Sequence, residues 1–460
     1  MAPGTEPMSA VDAAWLRMEH RTNLMLITSV MTFTEGIDFN RLKAVIEDRV
    51  LYYDRFRQRV VESRLPFGRP RWEDDEHFNL GAHLFHSALP APGGKAELER
   101  MVSSLMSTPL DYTKPLWQFH VIDNCMGGSA VVAKLHHCIA DGIALVKVML
   151  GITDPSADAN DVYRPMPERT RASAPNTWLP EVLGSAVGSA VKLTESVADQ
   201  AREALEDPSR AAQLARGGAS VAEALTKLLT MPPDPDTVFR GRLGTAKRAA
   251  WSEILPLQAV RSHSKRVGAT INDVLLTGVC GALRRYVQIR GGLTAGLNIR
   301  AVVPVNLRPE DEEGTLGNRF GLVYLSLPVG IADVGERLAE LKRRMDEIKG
   351  STEAVVAYAI LGALGMATPE VESMAVSLLG NKATAVMTNV PGPRGTIYLA
   401  GSPLTSMMFW VPQSGRLGLG VSILSYAGQV RLGVATDCGL VPDPGTIVDA
   451  FQDEMEAMLG

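Results

Sequence analysis

Two adjacent histidines and a nearby aspartate are the residues of this chain best suited to acid–base chemistry. His136 and His137 follow an apolar run, residues 129–133, and Asp141 comes shortly after them. The run predicts a buried strand and residues 142–150 predict a helix, so the histidines lie where the strand ends. A histidine there is suited to act as a general base, because its ordinary pKa of about 6.5 lies near neutral pH. The alternative is a pair of histidines with a purely structural role.

The spacing within this loop suggests different roles for its members. Adjacent residues that leave a strand point to opposite sides, so one histidine is expected to face a channel and the other the protein interior. For the same reason the two cannot easily bind one metal ion. We expect Asp141 to hold the loop rather than to transfer a proton, and Gly142 to allow a tight turn. Cys138 offers a thiol nucleophile, although a buried small side chain is the commoner role of a free cysteine.

The composition is that of a globular enzyme and argues against several other classes. The chain has 460 residues, 46% of them hydrophobic and 21% charged, which is enough for two domains. A net charge of -5 and an aromatic content of 6% argue against binding to nucleic acid. The four cysteines are scattered without a C-x-x-C pair, so neither structural zinc nor a disulfide framework is expected.

Motifs of other reaction classes are missing from the sequence. There is no G-x-S-x-G, no P-loop, no G-x-G-x-x-G and no H-E-x-x-H. What remains is a histidine that acts directly on a substrate hydroxyl, so that the alkoxide attacks an acyl group already activated by its donor. This chemistry requires no covalent enzyme intermediate, and we expect no metal and no resident cofactor.

Strand and helix patterns alternate in both halves and predict an α/β fold. Residues 1–153 form a first predicted domain, 154–236 a linker with a helical region, and 237–460 a second domain. Ser9 and Thr270 are predicted helix caps, because each has an aspartate three residues later. Single helices are predicted over 38–60 and 352–379, and a single strand over 397–409.

The chain contains no apolar run long enough to span a membrane. The longest, 354–367, is about 14 residues, whereas a spanning helix needs about 20. The N-terminus lacks the features of a signal peptide, so a cytoplasmic protein is expected. Residues 183–229 predict two amphipathic helices, which either pack on a domain or touch a lipid surface.

Several short blocks, in order along the chain, resemble those of one family. His136–Gly142 resembles the H-H-x-x-x-D-G motif of the bacterial wax ester synthase/acyl-CoA:diacylglycerol acyltransferases. The further similar blocks are Pro115-Leu116-Trp117, Ile271-Asn272-Asp273-Val274, Pro304-Val305-Asn306-Leu307-Arg308 and Thr388-Asn389-Val390-Pro391-Gly392-Pro393. The histidine motif alone is shared with peptide condensation domains, but the combination of blocks is far more specific.

The resemblance implies two chloramphenicol-acetyltransferase-like domains with a substrate tunnel between them. It also implies that His137 is the general base and that Asp141 holds the loop through an ion pair with an arginine, for which we choose Arg308. The alternative for Arg308 is an exposed strand end. Asn272 is expected near the acyl carbonyl, or as part of a helix cap, and Asn389 as support for the site within a turn.

The resemblance further implies an O-acyltransferase that uses acyl-CoA as co-substrate. The acceptor is expected to be diacylglycerol, giving triacylglycerol, or a long-chain alcohol, giving a wax ester. Such substrates imply peripheral association with a membrane or lipid droplet. Two alternatives stay open at this point: a condensation-type enzyme that uses carrier-bound thioesters, and a non-catalytic protein that coats lipid.

Overall fold

The fold is taken from a computed structural model that describes residues 5–63, 68–158, 227–228, 230–307, 316–349 and 353–460. Its strands are β1 (Thr5–Pro7), β2 (Leu26–Phe33), β3 (Gln58–Val61), β4 (Arg71–Asp74), β5 (Leu84–Ala88), β6 (Trp117–Cys125), β7 (Gly128–His136), β8 (Lys247–Trp251), β9 (Leu255–Pro256), β10 (Ile299–Asn306), β11 (Phe320–Leu327), β12 (Ala385–Pro391), β13 (Tyr398–Leu399), β14 (Ser402–Trp410), β15 (Leu419–Tyr426) and β16 (Gln429–Asp437).

The α-helices surround two large sheets. They are α1 (Ala10–Arg17), α2 (Phe39–Val45), α3 (Lys95–Met106), α4 (Gly142–Ile152), α5 (Leu257–Arg266), α6 (Ile271–Ile289), α7 (Val334–Lys349), α8 (Glu353–Leu364), α9 (Pro369–Gly380) and α10 (Pro444–Leu459). Buried Trp117 and Phe56 belong to the core of the first half, whereas buried Tyr286 and Phe451 belong to the core of the second.

The two large sheets exchange strands between the halves of the chain. The six-stranded sheet has the order β13-β14-β2-β7-β6-β5, so β13 and β14 from the second half complete a sheet of the first. The other large sheet has the order β11-β10-β12-β15-β16-β8, with β9 paired to β16. A small third sheet has the order β1-β4-β3. The mixed α/β fold predicted from the sequence is therefore confirmed, with the two halves joined through β14.

The hairpin β6–β7 carries the histidine motif. Its turn contains Met126 and Gly127, both with positive φ. Gly128 passes so close to β2 that a Cβ atom would lie 2.1 Å from the carbonyl oxygen of Phe33, so only glycine fits there. Strand β7 is central, between β2 and β6, and it ends at His136, which pairs with Leu26. The centre of a sheet therefore fixes where the loop begins.

The predicted helix caps are confirmed. Ser9 Oγ accepts a hydrogen bond of 3.1 Å from the Asp12 backbone N–H at the start of α1. Thr270 and Asp273 form a reciprocal capping box at the start of α6, with distances of 3.1 and 2.9 Å.

Three predicted elements are wrong in extent. The helix expected over 38–60 ends at Val50, after a short π-helix, because the chain then forms β3 and pairs with β4. The helix expected over 352–379 is two helices, since Thr368 caps α9 and Pro369 begins it. The strand expected over 397–409 is β13 and β14, which are separated by a turn with positive φ at Ala400 and Gly401.

Among the residues that the structure describes, no helix is both long and apolar enough to cross a membrane. The amphipathic helices predicted over 183–229 lie almost entirely outside the described residues.

Candidate active site

The ring of His137 is enclosed between aromatic side chains. Trp15 of α1 stacks on it, with ring centroids 4.2 Å apart and planes inclined by 19°. Phe320, the first residue of β11, lies on it at 5.6 Å and 49°. The backbone N–H of His137 donates to the carbonyl oxygen of Met25 at 2.7 Å, and the residue is only 4% exposed. Both the backbone and the ring of His137 are therefore held in place.

Burial keeps the imidazole of His137 neutral at physiological pH. It lowers the pKa of His137 to about 4, and the negative charge of Asp141 opposes this lowering only in part. The ring nitrogen Nδ1 is fully enclosed and has no hydrogen-bond partner among the described residues. A neutral imidazole can accept a proton, so the geometry suits the general base that the sequence predicts.

His136 turns away from His137 and binds a different set of groups. Its Nδ1 accepts a hydrogen bond of 3.1 Å from the backbone N–H of Cys138, so the ring proton belongs on Nε2. That nitrogen lies 3.0 Å from a carboxylate oxygen of Glu19 and 3.1 Å from the hydroxyl of Tyr112. His136 is fully buried, and its three partners fix the tautomer and the ring orientation. The residue is therefore placed to support the loop.

Glu19 is ionised in this arrangement. Burial alone would raise the pKa of its carboxyl group, but the hydrogen bonds and the charge of its neighbours, above all His136, lower it below its ordinary value. Glu19 also accepts a hydrogen bond of 3.0 Å from the backbone N–H of Met25. Since Met25 is the residue whose carbonyl holds His137, Glu19 connects the supports of both histidines.

Asp141 joins the loop to two other parts of the fold through its carboxylate. One oxygen accepts a hydrogen bond of 2.8 Å from the backbone N–H of Ala144 and so caps α4. The other accepts one of 2.9 Å from the backbone N–H of Arg319, in the second half of the chain. These contacts agree with a bracing role. Arg308, the chosen ion-pair partner, lies outside the described residues.

Gly142 does not make the tight turn that the sequence suggested. It is the first residue of α4, and its φ is not positive. A Cβ atom at this position would meet no atom of the described residues within 4 Å, so none of them fills the space beside Gly142. The turn is made instead by the loop residues before Asp141, and the small size of Gly142 leaves room beside the loop.

A short segment of the second half, 316–319, closes over the loop. Ala140 forms a parallel bridge with Gly317, whose carbonyl accepts a hydrogen bond from the Asp141 N–H at 3.4 Å. The side-chain amide of Asn318 donates to the carbonyl oxygen of His137 at 2.8 Å and to a carboxylate oxygen of Asp12 at 2.7 Å. The loop is therefore held by contacts with α1 on one side and with the 316–319 segment on the other.

Asn272 and Asn389, which the sequence places 117 residues apart, touch each other. The side-chain amide of Asn389 donates to the side-chain oxygen of Asn272 at 2.7 Å. Asn272 is half-buried in the first turn of α6, and Asn389 is exposed on β12. The turn expected at Asn389 is therefore wrong, because residues 385–391 pair with β15. Within the described part of the chain, no hydrogen bond joins this pair to residues 136–141.

Comparison with known proteins assigns most of this chain to a known family. The model of the wax ester synthase/diacylglycerol acyltransferase catalytic domain matches residues 8–275. The model of the WS/DGAT C-terminal domain matches residues 316–459. The chain belongs to the wax ester synthase/diacylglycerol acyltransferase family. It is thus an O-acyltransferase, as the sequence predicts.

The similarity of this acyltransferase to named relatives extends over almost its whole length. A protein of Mycobacterium tuberculosis (strain CDC 1551 / Oshkosh) named as a diacylglycerol O-acyltransferase is 27% identical over 99% of this chain and 90% of its own length. A second protein of that species, from the strain ATCC 25618 / H37Rv and also named as a diacylglycerol O-acyltransferase, is 26% identical over 98% of this chain and 95% of its own length.

Solved structures confirm the fold of the acyltransferase. The wax ester synthase/diacylglycerol acyltransferase of Marinobacter aquaeolei VT8 superimposes with a TM-score of 0.69 at 22% identity, covering 99% of this chain and 98% of that one. The first condensation domain of the calcium-dependent antibiotic synthetase gives a TM-score of 0.61 at 14% identity, over 100% and 96% of the two chains. The expected two-domain acyltransferase fold is therefore present.

Cys138 is unsuited to nucleophilic chemistry in the acyltransferase. It is fully buried, and burial raises the pKa of its thiol well above the ordinary value, so the thiolate is disfavoured. No group of three or more His, Cys, Asp or Glu side chains in the described ranges is arranged to hold a metal ion.

The residues that surround the loop are not among those predicted from the sequence. Trp15, Glu19, Asn318 and Phe320 all contact the histidines, yet each lies more than 100 residues from them in the sequence. Trp15 and Glu19 belong to residues 9–19, a stretch that also resembles the N-terminus of the family and was a usable signal. Asn318 had no such signal, because it lies two residues before β11 and in none of the blocks that resemble the family.

Proposed function

We propose that this acyltransferase transfers a long acyl chain from acyl-CoA to the hydroxyl group of diacylglycerol or of a long-chain alcohol, with His137 as the general base. The observation that carries the proposal is the enclosed, neutral imidazole of His137 between Trp15 and Phe320. A buried imidazole with a lowered pKa is neutral at pH 7, so one of its ring nitrogens has a lone pair that can accept a proton. Its apolar surroundings also suit a lipid substrate.

The reaction needs two proton transfers, one to His137 and one from it. His137 takes the hydroxyl proton as the alcohol oxygen attacks the thioester carbonyl carbon, which gives a tetrahedral oxyanion and an imidazolium ion. The intermediate then expels the thiolate of coenzyme A, which receives the proton from His137, and the ester is released. General base catalysis of this kind contributes typically about 10²–10⁴-fold to the rate.

Asp141 contributes to this reaction by position and by charge. Its two backbone hydrogen bonds hold the loop between α4 and the 316–319 segment. Its negative charge favours the imidazolium that forms in the transition state, because it opposes the effect of burial on the pKa of His137. The carboxylate therefore stabilises the protonated base without taking the proton itself.

We propose that substrates reach His137 through a tunnel between a first domain, residues 1–153, and a second, residues 237–460. A substrate passage at this point is supported by Gly142, beside which no described residue comes within 4 Å of where a Cβ atom would lie. Asn272 and Asn389 are proposed to support the second-domain side through their mutual hydrogen bond. The mechanism uses no metal and no resident cofactor, since acyl-CoA is consumed as a co-substrate.

We propose a cytoplasmic protein that associates peripherally with a membrane or lipid droplet. The proposed acceptors partition into lipid, which supports access from a lipid surface. Co-sedimentation with phospholipid vesicles tests this directly. Partial binding that is released by salt or alkaline wash is expected, and release by detergent alone would contradict peripheral association.

The enzymatic test uses the purified full chain with labelled palmitoyl-CoA. Diacylglycerol and hexadecanol are offered separately, and lipid products are resolved by chromatography. Labelled triacylglycerol or wax ester is expected with the wild type, and loss of at least 100-fold in rate with His137→Ala (roughly the lower bound for a general base). A parallel reaction replaces palmitoyl-CoA by palmitoyl-carrier protein. Activity only with the carrier would overturn the proposed donor, and full activity of His137→Ala would overturn the proposed base.

A further inference from the structure

The sheet of the second half is interrupted between two of its strands. Strand β10 pairs with β11 along its whole length, and β12 pairs with β15 along its whole length. In contrast, β10 and β12 pair only at Ala301 with Ala385 and at Val302 with Val386. Beyond these pairs, residues 303–306 of β10 and 387–391 of β12 are neighbours in the strand order that do not pair with each other. We call the space between these two segments the strand gap.

Pro304 explains why the pairing stops. At the end of β10 the backbone N–H of Leu307 donates to the carbonyl oxygen of Arg319, at 3.1 Å, on the β11 side. Backbone groups point alternately to the two neighbouring strands, so the groups of Pro304 are directed toward β12. Proline has no N–H to donate, and the ladder between β10 and β12 therefore ends before it.

The exposure of the two strands agrees with an opening. Ala301 and Ala385 are fully buried where the strands pair. Farther along, residues 303–305 are half-buried, and Asn306 and Asn389 are exposed. The strands therefore become accessible at the end where they separate.

The strand gap lies close to the proposed base. Asn306, at the end of β10, pairs with Phe320, at the start of β11. Phe320 in turn lies on the ring of His137. The gap is therefore separated from this contact by the width of one strand, about 5 Å.

The strand gap also connects the two faces of the sheet. On one face Met387 packs in the core of the second half, and Asn389 binds Asn272 of α6. On the opposite face Val390 packs against the cluster that contains Phe409 of β14, a strand in the sheet of the first half. A chain that passes through the gap therefore runs from the α6 side of the sheet to the side that holds the histidine loop.

The asparagine pair offers one donor and one acceptor beside the gap. The amide nitrogen of Asn389 donates to the side-chain oxygen of Asn272. The amide nitrogen of Asn272 and the side-chain oxygen of Asn389 bind no other described residue. A donor beside an acceptor is complementary to an amide group, and amide groups link the pantetheine arm of coenzyme A.

Basic side chains lie at the outer end of the same path. Lys265 and Arg266 are in the last turn of α5, and a turn in which the Gly268 N–H donates to the Lys265 carbonyl oxygen leads on to α6 and Asn272. Arg394 follows the end of β12. The three basic side chains are exposed, and none forms an ion pair within the described ranges.

The chain around these basic residues carries few carboxylates. Residues 254–272 and 373–436 contain no Asp or Glu. The next acidic residue, Asp273, is buried and accepts a hydrogen bond from the backbone N–H of Thr270. The positive charge is therefore available to an anion, and phosphate is the anion that lysine and arginine side chains bind well.

We propose that acyl-CoA reaches His137 through the strand gap. The phosphate groups bind the basic side chains at the end of α5 and after β12, the pantetheine arm lies between β10 and β12 beside the asparagine pair, and the thioester meets His137 on the far side. The inference rests on the proposed function for the identity of the donor. It leaves the tunnel between the domains to the lipid acceptor.

This route separates the charged and uncharged parts of the donor. Phosphate groups are strongly disfavoured in an apolar site such as the surroundings of His137. Through the gap only the uncharged arm crosses the sheet, while the phosphates stay at the surface. The unpaired strand edges on either side offer backbone groups to the amides of the arm.

The first test measures binding of coenzyme A by calorimetry to two double variants. Lys265→Ala/Arg266→Ala removes part of the proposed phosphate site. Arg242→Ala/Arg416→Ala is the control, because these two arginines are exposed and precede β8 and β15, at the opposite end of the strands. The first variant should raise Kd about 10–100-fold, roughly the effect of losing hydrogen bonds to a charged group. Equal Kd values in the two variants would overturn the phosphate site.

A donor without phosphates distinguishes this inference from the proposed function. In Lys265→Ala/Arg266→Ala the KM for palmitoyl-CoA should rise with kcat nearly unchanged, while kcat/KM for palmitoyl-N-acetylcysteamine should stay at the wild-type value. Equal losses with both donors would overturn the phosphate site. If the wild type turns over neither donor but calorimetry gives the expected difference, the proposed function is wrong and the binding site stands.

The second test locates the pantetheine arm and needs neither activity nor a variant. Hydrogen exchange of the full wild-type chain is followed by mass spectrometry with and without coenzyme A. Exchange should slow in peptides that cover 261–272, 303–306 and 387–391, and should not change in 242–247. Slower exchange in 261–272 alone would overturn passage through the strand gap, and unchanged exchange in all of these segments would overturn the whole inference.

Discussion

Trp15 lies flat on His137, with ring centroids 4.2 Å apart and an interplanar angle of 19°. The contact joins the first helix of the chain to the loop that follows the central strand of a sheet. It removes one face of the imidazole from water, and burial is the largest effect that lowers the pKa of His137. The stacking also stops rotation of the ring. Trp15 thus contributes to both the pKa and the orientation of the proposed base.

Replacing Trp15 by leucine should therefore change the pH dependence of the enzyme as well as its rate. Water that enters the vacated space favours the imidazolium, so the pKa of His137 should rise from about 4 toward its ordinary value of 6.5. The acid limb of kcat/KM against pH should move to higher pH, and kcat should fall. Steady-state rates with palmitoyl-CoA, measured from below pH 4 to pH 8, give both quantities.

The control for this change is Trp251→Leu. Trp251 is as deeply buried as Trp15, at 3% against 5% exposure, but it packs against Trp410 in another cluster. Both variants should lose stability from the cavity, while only Trp15→Leu should shift the acid limb. An unshifted limb in Trp15→Leu would show that the stacking does not set the pKa of His137.

The lowered pKa of His137 also makes the stability of the fold depend on pH. An unfolded chain binds a proton at His137 below about pH 6.5, whereas the folded protein does not bind one until about pH 4. The free energy of unfolding should therefore fall as the pH is lowered from 6.5 to 4, and this histidine should have no effect above that range. Between pH 6.5 and 5 the loss should be roughly 2 kcal/mol.

Urea unfolding at pH 7 and pH 5 measures this contribution. His120 is also kept neutral by burial, with a pKa of about 4, so the wild type should lose more stability than His137 alone accounts for. His137→Gln cannot titrate and isolates the contribution, because its loss between the two pH values should be smaller. An equal loss in the two proteins would mean that His137 is protonated in the folded state at pH 5.

The sequence predicted the parts of this site that are local in the chain. A strand end at His136, the caps at Ser9 and Thr270, and the bracing role of Asp141 all follow from short-range patterns, and the first two agree with the structure. Such features depend on residues within one or two turns of each other, so a single sequence displays them.

The parts that were missed depend on pairing between distant segments. β3 was predicted as helix, because its strand character comes only from pairing with β4. Nothing in periodicity places Asn318 on the carbonyl of His137, or moves β14 into the sheet of the first half. Gly142 was misread for a different reason: its small size leaves space, and the turn does not need its backbone freedom.

The two histidines should differ sharply when each is replaced by alanine. His137→Ala removes the proposed base and should lower turnover by about 10²–10⁴-fold, with acyl-CoA binding nearly unchanged. His136→Ala leaves the Cys138 N–H and the Glu19 carboxylate without their buried partner. That change should appear mainly as lost stability, of about 1–3 kcal/mol or more, and as a smaller loss of turnover.

Rates and urea midpoints of both variants must be compared at equal folded fraction. Glu19→Gln offers a milder test of the His136 support, since it keeps the shape of the side chain and removes its charge. Both its stability and its turnover should fall, as in His136→Ala, but by less. An inactive His136→Ala beside an active His137→Ala would reverse the two roles.

Asp141→Asn tests two contributions of Asp141, one to the stability of the loop and one to the pKa of His137. The asparagine keeps one acceptor oxygen but turns an N–H₂ group toward one of the two backbone N–H groups, of Ala144 or Arg319, that the carboxylate now accepts. An unsatisfied buried N–H costs about 1–3 kcal/mol, so the free energy of unfolding should fall by about that amount. Because the charge of Asp141 raises the pKa of His137, the acid limb of kcat/KM should move to lower pH in this variant, opposite to Trp15→Leu.

The matched control is Asp38→Asn. Asp38 also caps a helix, α2, but one of its carboxylate oxygens accepts from the backbone N–H groups of both Asn40 and Arg41, at 2.8 and 3.0 Å. An asparagine can keep both bonds through its amide oxygen, so Asp38→Asn should lose little stability, with kcat unchanged. If Asp141→Asn keeps native stability, normal substrate binding and an ordered loop but has no turnover, Asp141 takes part in proton transfer directly. A loss of kcat that scales with loop order, together with the downward shift of the acid limb, identifies it as the brace and the counter-charge of His137.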